Sequence, residues 1–146
     1  MNNARTDSNS YAIMDTRNQI TTITYRVPYA DTDQMGFVYY ANYLVYFERL
    51  RNELLREGGT AYKEWEARGI LLPVIEAYCQ YRAPAHYDDL LVISGWMSMA
   101  KGTRIRIDYQ VQRDDTVLAD GYTVHACLKR SGRPTRLPEE LRMQNK

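Results

Sequence analysis

One helix constrains this chain more than any other feature. Tyr43, Phe47, Leu50 and Leu54 recur at i, i+4, i+7 and i+11, the spacing of a single helical face. Leu44, Val45 and Tyr46 make the first two turns apolar nearly all round, whereas Arg51, Asn52, Glu53 and Arg56 make the end polar. Such a helix is buried where it starts and emerges where it ends. The pattern predicts a start near Tyr40–Asn42, with Asn42 as N-cap, and a stop at Gly58-Gly59. A second, short helical stretch over Thr60–Arg68 leads to Gly69. Nearly everything else reads as strand, so strands must cover the one long helix.

The first strand is Ile20–Pro28, rich in β-branched residues and ended by Pro28. After the helices come Leu71–Arg82, closed by Pro84, and Leu90–Ala100, followed by a tight turn at Lys101-Gly102. Thr103, Ile105, Ile107, Tyr109 and Val111 then alternate with Arg104, Arg106, Asp108, Gln110 and Gln112, an antiparallel strand with one wet face. Asp114-Asp115 turns it, and Val117–Leu128 returns as a strand apolar on both faces, either central or covered by another subunit. The expected class is α+β: a curved antiparallel sheet enclosing one helix. Residues 1–19 read as a flexible N-terminal arm and 20–146 as a single domain.

Composition narrows the function by exclusion. A net charge of +1 gives no strong field for nucleic acid or a membrane surface. Cys79 and Cys127 form no paired-cysteine motif, which reads as reduced thiols in a cytoplasmic protein. No run has transmembrane length, and the polar N-terminus lacks the apolar core of a secretory signal. His86 and His125 do not pair as metal ligands, and no GxSxG elbow is present, so neither a metal centre nor serine-hydrolase chemistry is expected. His125 reads as a hydrogen-bonded sheet residue and His86 as a solvated residue of a connection. Tyr is abundant, at 13 residues against two Phe, which suits pockets and subunit interfaces as well as half-buried strands.

The chemistry concentrates in the loop before the helix, YADTDQMG over residues 29–36. Asp31 and Asp33 stand just ahead of a helix N-terminus, whose unpaired N–H groups and partial positive charge can hold a developing oxyanion. Either carboxylate can serve as nucleophile or general base. Either can equally bond backbone N–H groups of its own turn. Glu48, on the helix, reads as a surface residue. Arg130, Arg133 and Arg136 form a basic, Pro-punctuated tail that can be a solvated cluster or a phosphate site.

The stretch YADTDQMGFVYYANYLVYFER, the Tyr81–Asp89 connection YRAPAHYDD and the closing GRPTRLPEEL resemble the hotdog-fold acyl-CoA thioesterases of the 4-hydroxybenzoyl-CoA and Tol–Pal-linked type. The resemblance runs from about Ile20 to Leu141. It implies a five-stranded sheet around one central helix, hydrolysis of an acyl- or aroyl-CoA, and a homodimer or homotetramer with active sites between subunits. It implies no retained cofactor, since coenzyme A is part of the substrate. By position it assigns the catalytic carboxylate to Asp33, the oxyanion donor to the Tyr40 N–H and the close-approach turn to Gly36. Arg133 and Arg136 are the expected contacts of the coenzyme A phosphates, reaching from a neighbouring subunit. The Tol–Pal-linked branch often has His at the Tyr40 position; this chain has Tyr there, as the hydroxybenzoyl-CoA type does. Two other functions fit the same fold: an acyl-CoA-binding module without turnover, and an enoyl-CoA hydratase or dehydratase using His125.

Overall fold

A computed structural model describes residues 19–59 and 62–142, so the expected N-terminal arm lies outside the described residues except for Gln19. The long helix, α1, spans Asn42–Glu57 and ends at Gly58, with Gly59 following at φ +104°. Its buried residues are Tyr43, Tyr46, Phe47, Leu50 and Leu55, close to the face expected from the spacing. The opposite side is not enclosed: Leu44 is 41% and Val45 45% exposed. The sheet of one chain therefore covers one flank of α1 rather than its whole circumference. A shorter helix, α2, covers Tyr62–Ala67.

The strands are β1 (Thr21–Arg26), β2 (Ile70–Leu71), β3 (Val74–Tyr81), β4 (Leu90–Lys101), β5 (Arg104–Arg113), β6 (Thr116–Ala126) and β7 (Leu128–Lys129). Five form one antiparallel sheet in the order β1-β4-β5-β6-β3, and β2 pairs with β7 apart from it. The single strand expected over Leu71–Arg82 is thus two. Pro73, which has no N–H to donate, separates them, and the two halves join different sheets.

The alternation in β5 has the predicted consequence. Ile105, Ile107, Tyr109 and Val111 are buried against the helix, and Arg106, Asp108 and Gln110 face outward between β4 and β6. Phe47 of α1 stacks on Tyr109 with ring centroids 4.3 Å apart and planes within 3°. Helix and sheet approach closely because Gly95 of β4 has no side chain. A Cβ there would meet Leu50 Cδ1 at 2.4 Å and the Asp108 carbonyl oxygen at 2.9 Å.

A polar chain crosses this apolar layer. His125, 1% exposed, contacts the Leu72 carbonyl through Nδ1 at 2.9 Å and Thr123 Oγ1 through Nε2 at 2.8 Å. A carbonyl only accepts, so Nδ1 carries the proton and the neutral ring accepts at Nε2. Thr123 then donates to His125 and must accept from Tyr109, 2.6 Å away, while Arg51 donates to the Tyr109 hydroxyl at 3.1 Å. Every donor in the series has one acceptor. Burial pushes the His125 pKa down to about 4, against the supporting bond to Leu72 and with a further push from Arg51. The expected sheet role of His125 holds, and a catalytic role in hydration does not, because both ring nitrogens are engaged inside the fold.

Candidate active site

The loop ahead of α1 is a miniature hairpin. Thr32 bridges to Val38, the Asp33 N–H donates to the Phe37 carbonyl at 2.8 Å, and the Tyr39 N–H donates to the Asp31 carbonyl at 2.9 Å. Gly36 closes the tip at φ +85°, a backbone conformation that L side chains disfavour, so a glycine at this position lets the turn form without strain. The hairpin docks on the connection between β3 and β4: Val38 N–H donates to the Ala85 carbonyl at 2.8 Å, and Phe37 bridges to His86.

Asp31 and Asp33 have separate surroundings. Oδ2 of Asp31 accepts the Tyr25 and Tyr46 hydroxyls, each at 2.8 Å, and its carbonyl accepts the Asn42 side-chain amide at 2.9 Å. Burial, and then the bond to this carboxylate, hold both phenols above the usual tyrosine range, so both remain donors. Asp31 is a brace. Asp33 Oδ1 accepts the Met35 N–H at 2.9 Å and the Phe37 N–H at 3.1 Å, which are the turn bonds that sequence reasoning held open for either acid. Its Oδ2 has no partner among the described residues. Asp33 is thus anchored through one oxygen and open at the other.

The helix entrance is left without a side-chain cap. Ala41, not Asn42, occupies the N-cap position, with φ −67° and ψ −22°, and makes no capping bond; Asn42 is the first helical residue and spends its amide on Asp31. No acidic residue lies in the first turn. The Asn42, Tyr43 and Leu44 N–H groups bond to the carbonyls of Tyr39, Tyr40 and Ala41. Among the described residues, no acceptor faces the N–H of Tyr40 or of Ala41. An uncapped start usually costs about 1 kcal/mol relative to Ser, Thr, Asp or Asn at the cap, and here it keeps two donors available.

Sequence reasoning brought Asp33, Gly36 and Tyr40 to one connection, and the fold keeps them together there. Arg133 and Arg136 are elsewhere. Their segment is tied to the β4–β5 turn, where Leu137 N–H donates to the Gly102 carbonyl, whereas the Asp33 hairpin sits at the start of β4. Twelve residues of β4 separate the two ends, roughly 35 Å at strand spacing. Both arginines are exposed, as are Lys101, Arg104, Lys129 and Arg130 at the same end. Glu48 is exposed on α1. His86 is half exposed, with Nδ1 3.8 Å from Asp89 and its ring edge-on to Phe37 at 5.5 Å. The residues not anticipated are Tyr25 and Tyr46, which hold Asp31, and Tyr81, whose hydroxyl donates to the Tyr40 carbonyl at 3.0 Å. Only their number hinted at them, since a phenol far along the chain carries no local signal of its acceptor.

Residues 27–144 match the family described as the thioesterase-like superfamily. The chain belongs to that superfamily. The chain has the hotdog fold, a five-stranded antiparallel sheet on one long helix. It is 39% identical over 85 residues to the putative acyl-CoA thioesterase YneP of Bacillus subtilis, a match spanning 58% of this chain and 62% of that protein. It is 32% identical over 104 residues to the acyl-CoA thioester hydrolase YbgC of Escherichia coli O6:H1, covering 70% and 78% of the two chains. The crystal structure of a probable thioesterase from Bartonella henselae superposes with a TM-score of 0.78 at 31% identity, over 82% of this chain and 100% of that one. Among the described residues no helix is long and apolar enough to cross a membrane, and no group of His, Cys, Asp and Glu could hold a metal ion.

Proposed function

We propose that the chain hydrolyses an acyl- or aroyl-CoA thioester to coenzyme A and a free acid, with Asp33 as nucleophile or general base. The observation that carries this reading is the uncapped entrance of α1, where the Tyr40 N–H has no acceptor among the described residues, in the same connection as a carboxylate whose Oδ2 has no partner among them. Attack on the thioester carbonyl puts negative charge on its oxygen. The Tyr40 N–H and the positive end of the helix stabilise that charge, and one such donor is worth roughly 3 kcal/mol of barrier. Attack by Asp33 forms an acyl anhydride that water then opens; as a base, Asp33 instead takes the proton of the attacking water. Both routes expel the coenzyme A thiolate. Gly36 leaves the hairpin tip free of side-chain atoms: a Cβ there would meet nothing within 4 Å.

The rest of the assignment follows from that site. Coenzyme A is a substrate moiety and no retained cofactor is required. Arg133 and Arg136 contact its phosphates from a second copy of the chain, since within one chain they are a sheet length from Asp33. The active form is a homodimer or homotetramer with sites between subunits, a reading supported by the exposed Leu44 and Val45 and by the unpaired edge strand β3, whose Val74, Ile75, Tyr78 and Tyr81 are each 45–47% exposed. The two free thiols suit a cytoplasmic location.

Thiol release from a panel of acyl- and aroyl-CoAs, measured for wild type and Asp33→Asn, tests the reading. Wild-type turnover that falls by several orders of magnitude in the variant is the expected result. Equal turnover by the variant removes Asp33 from the reaction. Saturable acyl-CoA binding with no thiol release identifies a binding module instead.

A further inference from the structure

We infer that Tyr81 is a positioning residue for the oxyanion donors at the entrance of α1, an inference that rests on the hydrolytic reading of this site. Register places Tyr81 opposite Ala119 and Cys79 opposite Gly121, so both side chains point to the concave, helix-bearing side of the sheet, whereas Tyr78 stacks on Tyr122 on the outer side. From there the Tyr81 hydroxyl reaches the Tyr40 carbonyl at 3.0 Å. Among the described residues that carbonyl otherwise receives only the long bond from the Tyr43 N–H, at 3.3 Å. The Tyr81 ring meets Tyr43 edge-on at 5.2 Å and Tyr40 edge-on at 6.3 Å, which fixes the direction of the hydroxyl.

The bonded carbonyl belongs to the peptide group whose other end is the Ala41 N–H, and Ala41 N–H has no acceptor among the described residues. A donor on the oxygen of a peptide withdraws electron density from its nitrogen and makes the N–H a stronger donor. The same bond holds residue 40 in place, and with it the direction of the Tyr40 N–H. No capping side chain does either job, because the N-cap is Ala41. Tyr81 therefore acts through the backbone: it never touches the thioester, but it orients the Tyr40 N–H and polarises the Ala41 N–H next to it at the helix entrance. Its phenol stays protonated in this role, since burial and the neighbouring Cys79 push its pKa up to about 12.

Tyr81→Phe keeps the ring contacts and removes the hydroxyl. Steady-state kinetics on the substrate that wild type turns over fastest should show kcat lower by about tenfold with KM little changed, a loss smaller than the roughly 100-fold or more expected when an oxyanion donor is removed outright. The thermal midpoint should stay within about 2 °C of wild type, since one exposed hydrogen bond contributes little. Site-specific replacement of Tyr81 by 3-fluorotyrosine keeps the group and strengthens it as a donor, and kcat should then rise above wild type. A merely structural tyrosine would not respond in that direction. An unchanged kcat in Tyr81→Phe overturns the inference while leaving hydrolysis at Asp33 standing. If Tyr81→Phe does not fold, an equal or lower kcat in the fluorotyrosine enzyme overturns it. No thiol release by wild type overturns both this inference and the hydrolytic reading.

Discussion

Tyr46, in the second turn of α1, donates its hydroxyl to Oδ2 of Asp31 at 2.8 Å, and so ties the buried helix to the loop that carries Asp33. Tyr25 of β1 donates to the same oxygen, and its ring lies 4.9 Å from that of Tyr46. Three elements meet on one carboxylate. Removing it in Asp31→Ala leaves two phenols without their acceptor, of which Tyr46 is 1% exposed. The expected loss of unfolding free energy is about 2–4 kcal/mol, read from urea denaturation, because each stranded polar group costs about 1–3 kcal/mol. Asp31→Asn retains an acceptor oxygen and should lose about 1 kcal/mol. A loss as large in Asn as in Ala would mean that charge, not hydrogen bonding, holds the brace.

Gly95 sets the distance between α1 and the sheet. Gly95→Ala drives a methyl into Leu50 Cδ1 and should destabilise the fold by about 1–3 kcal/mol through overpacking. Leu50→Ala alone should cost about 2–5 kcal/mol through the cavity it leaves. Together they should cost clearly less than the sum, since the new methyl occupies part of the vacated space. Additive values in the double-mutant cycle would show that the strain at Gly95 comes from the Asp108 carbonyl instead.

His125 makes stability depend on acid. Its pKa is about 4 in the fold against 6.5 for the free side chain, so between these values the unfolded chain binds the extra proton. Its contribution is complete above pH 6.5, declines as pH falls below that and is exhausted near pH 4. The total is about 3 kcal/mol by linkage. Urea denaturation of wild type and His125→Gln from pH 7.5 to 4 should show a shallower decline in the variant. Parallel curves would place the acid sensitivity in the carboxylates.

Gly36→Ala tests the hairpin tip. Nothing crowds a Cβ there, so the penalty is conformational, about 1–2 kcal/mol for a left-handed residue. Activity should suffer more than stability. Asp33 is held through the Met35 and Phe37 N–H groups on either side of Gly36, and a shift of about 1 Å in a reacting group can cost about 100-fold. Wild-type kcat in a folded Gly36→Ala protein would show that the tip does not aim Asp33.

Several parts of this architecture are legible in the sequence alone. The span of α1, its stop at Gly58-Gly59 and the wet and dry faces of β5 followed from periodicity, because side-chain direction within one element is a local property. That Asp33, Gly36 and Tyr40 share one connection was legible too, since they lie within eight residues of chain. Asn42 has the right chemistry for a cap, but the position of the Asp31 carbonyl draws its amide into another bond and Ala41 takes the N-cap position. The break at Pro73 is not visible in the pattern, because the run from Leu71 to Arg82 is strand-like on both sides of it.

By itself, then, the sequence determined that one apolar helix must lie on an antiparallel sheet, and that one short loop ahead of it carries both Asp31 and Asp33. The tertiary structure decided which acid braces and which stays open: Tyr25 and Tyr46 converge on Asp31, while Asp33 keeps Oδ2 without a partner among the described residues. It also set Tyr81 on the Tyr40 carbonyl, 41 residues away along the chain, and put Arg133 and Arg136 at the far end of β4. The physical reason is the same in each case. Periodicity reports how a residue faces its own element, whereas these pairings depend on strand register and helix placement, which long-range packing alone selects.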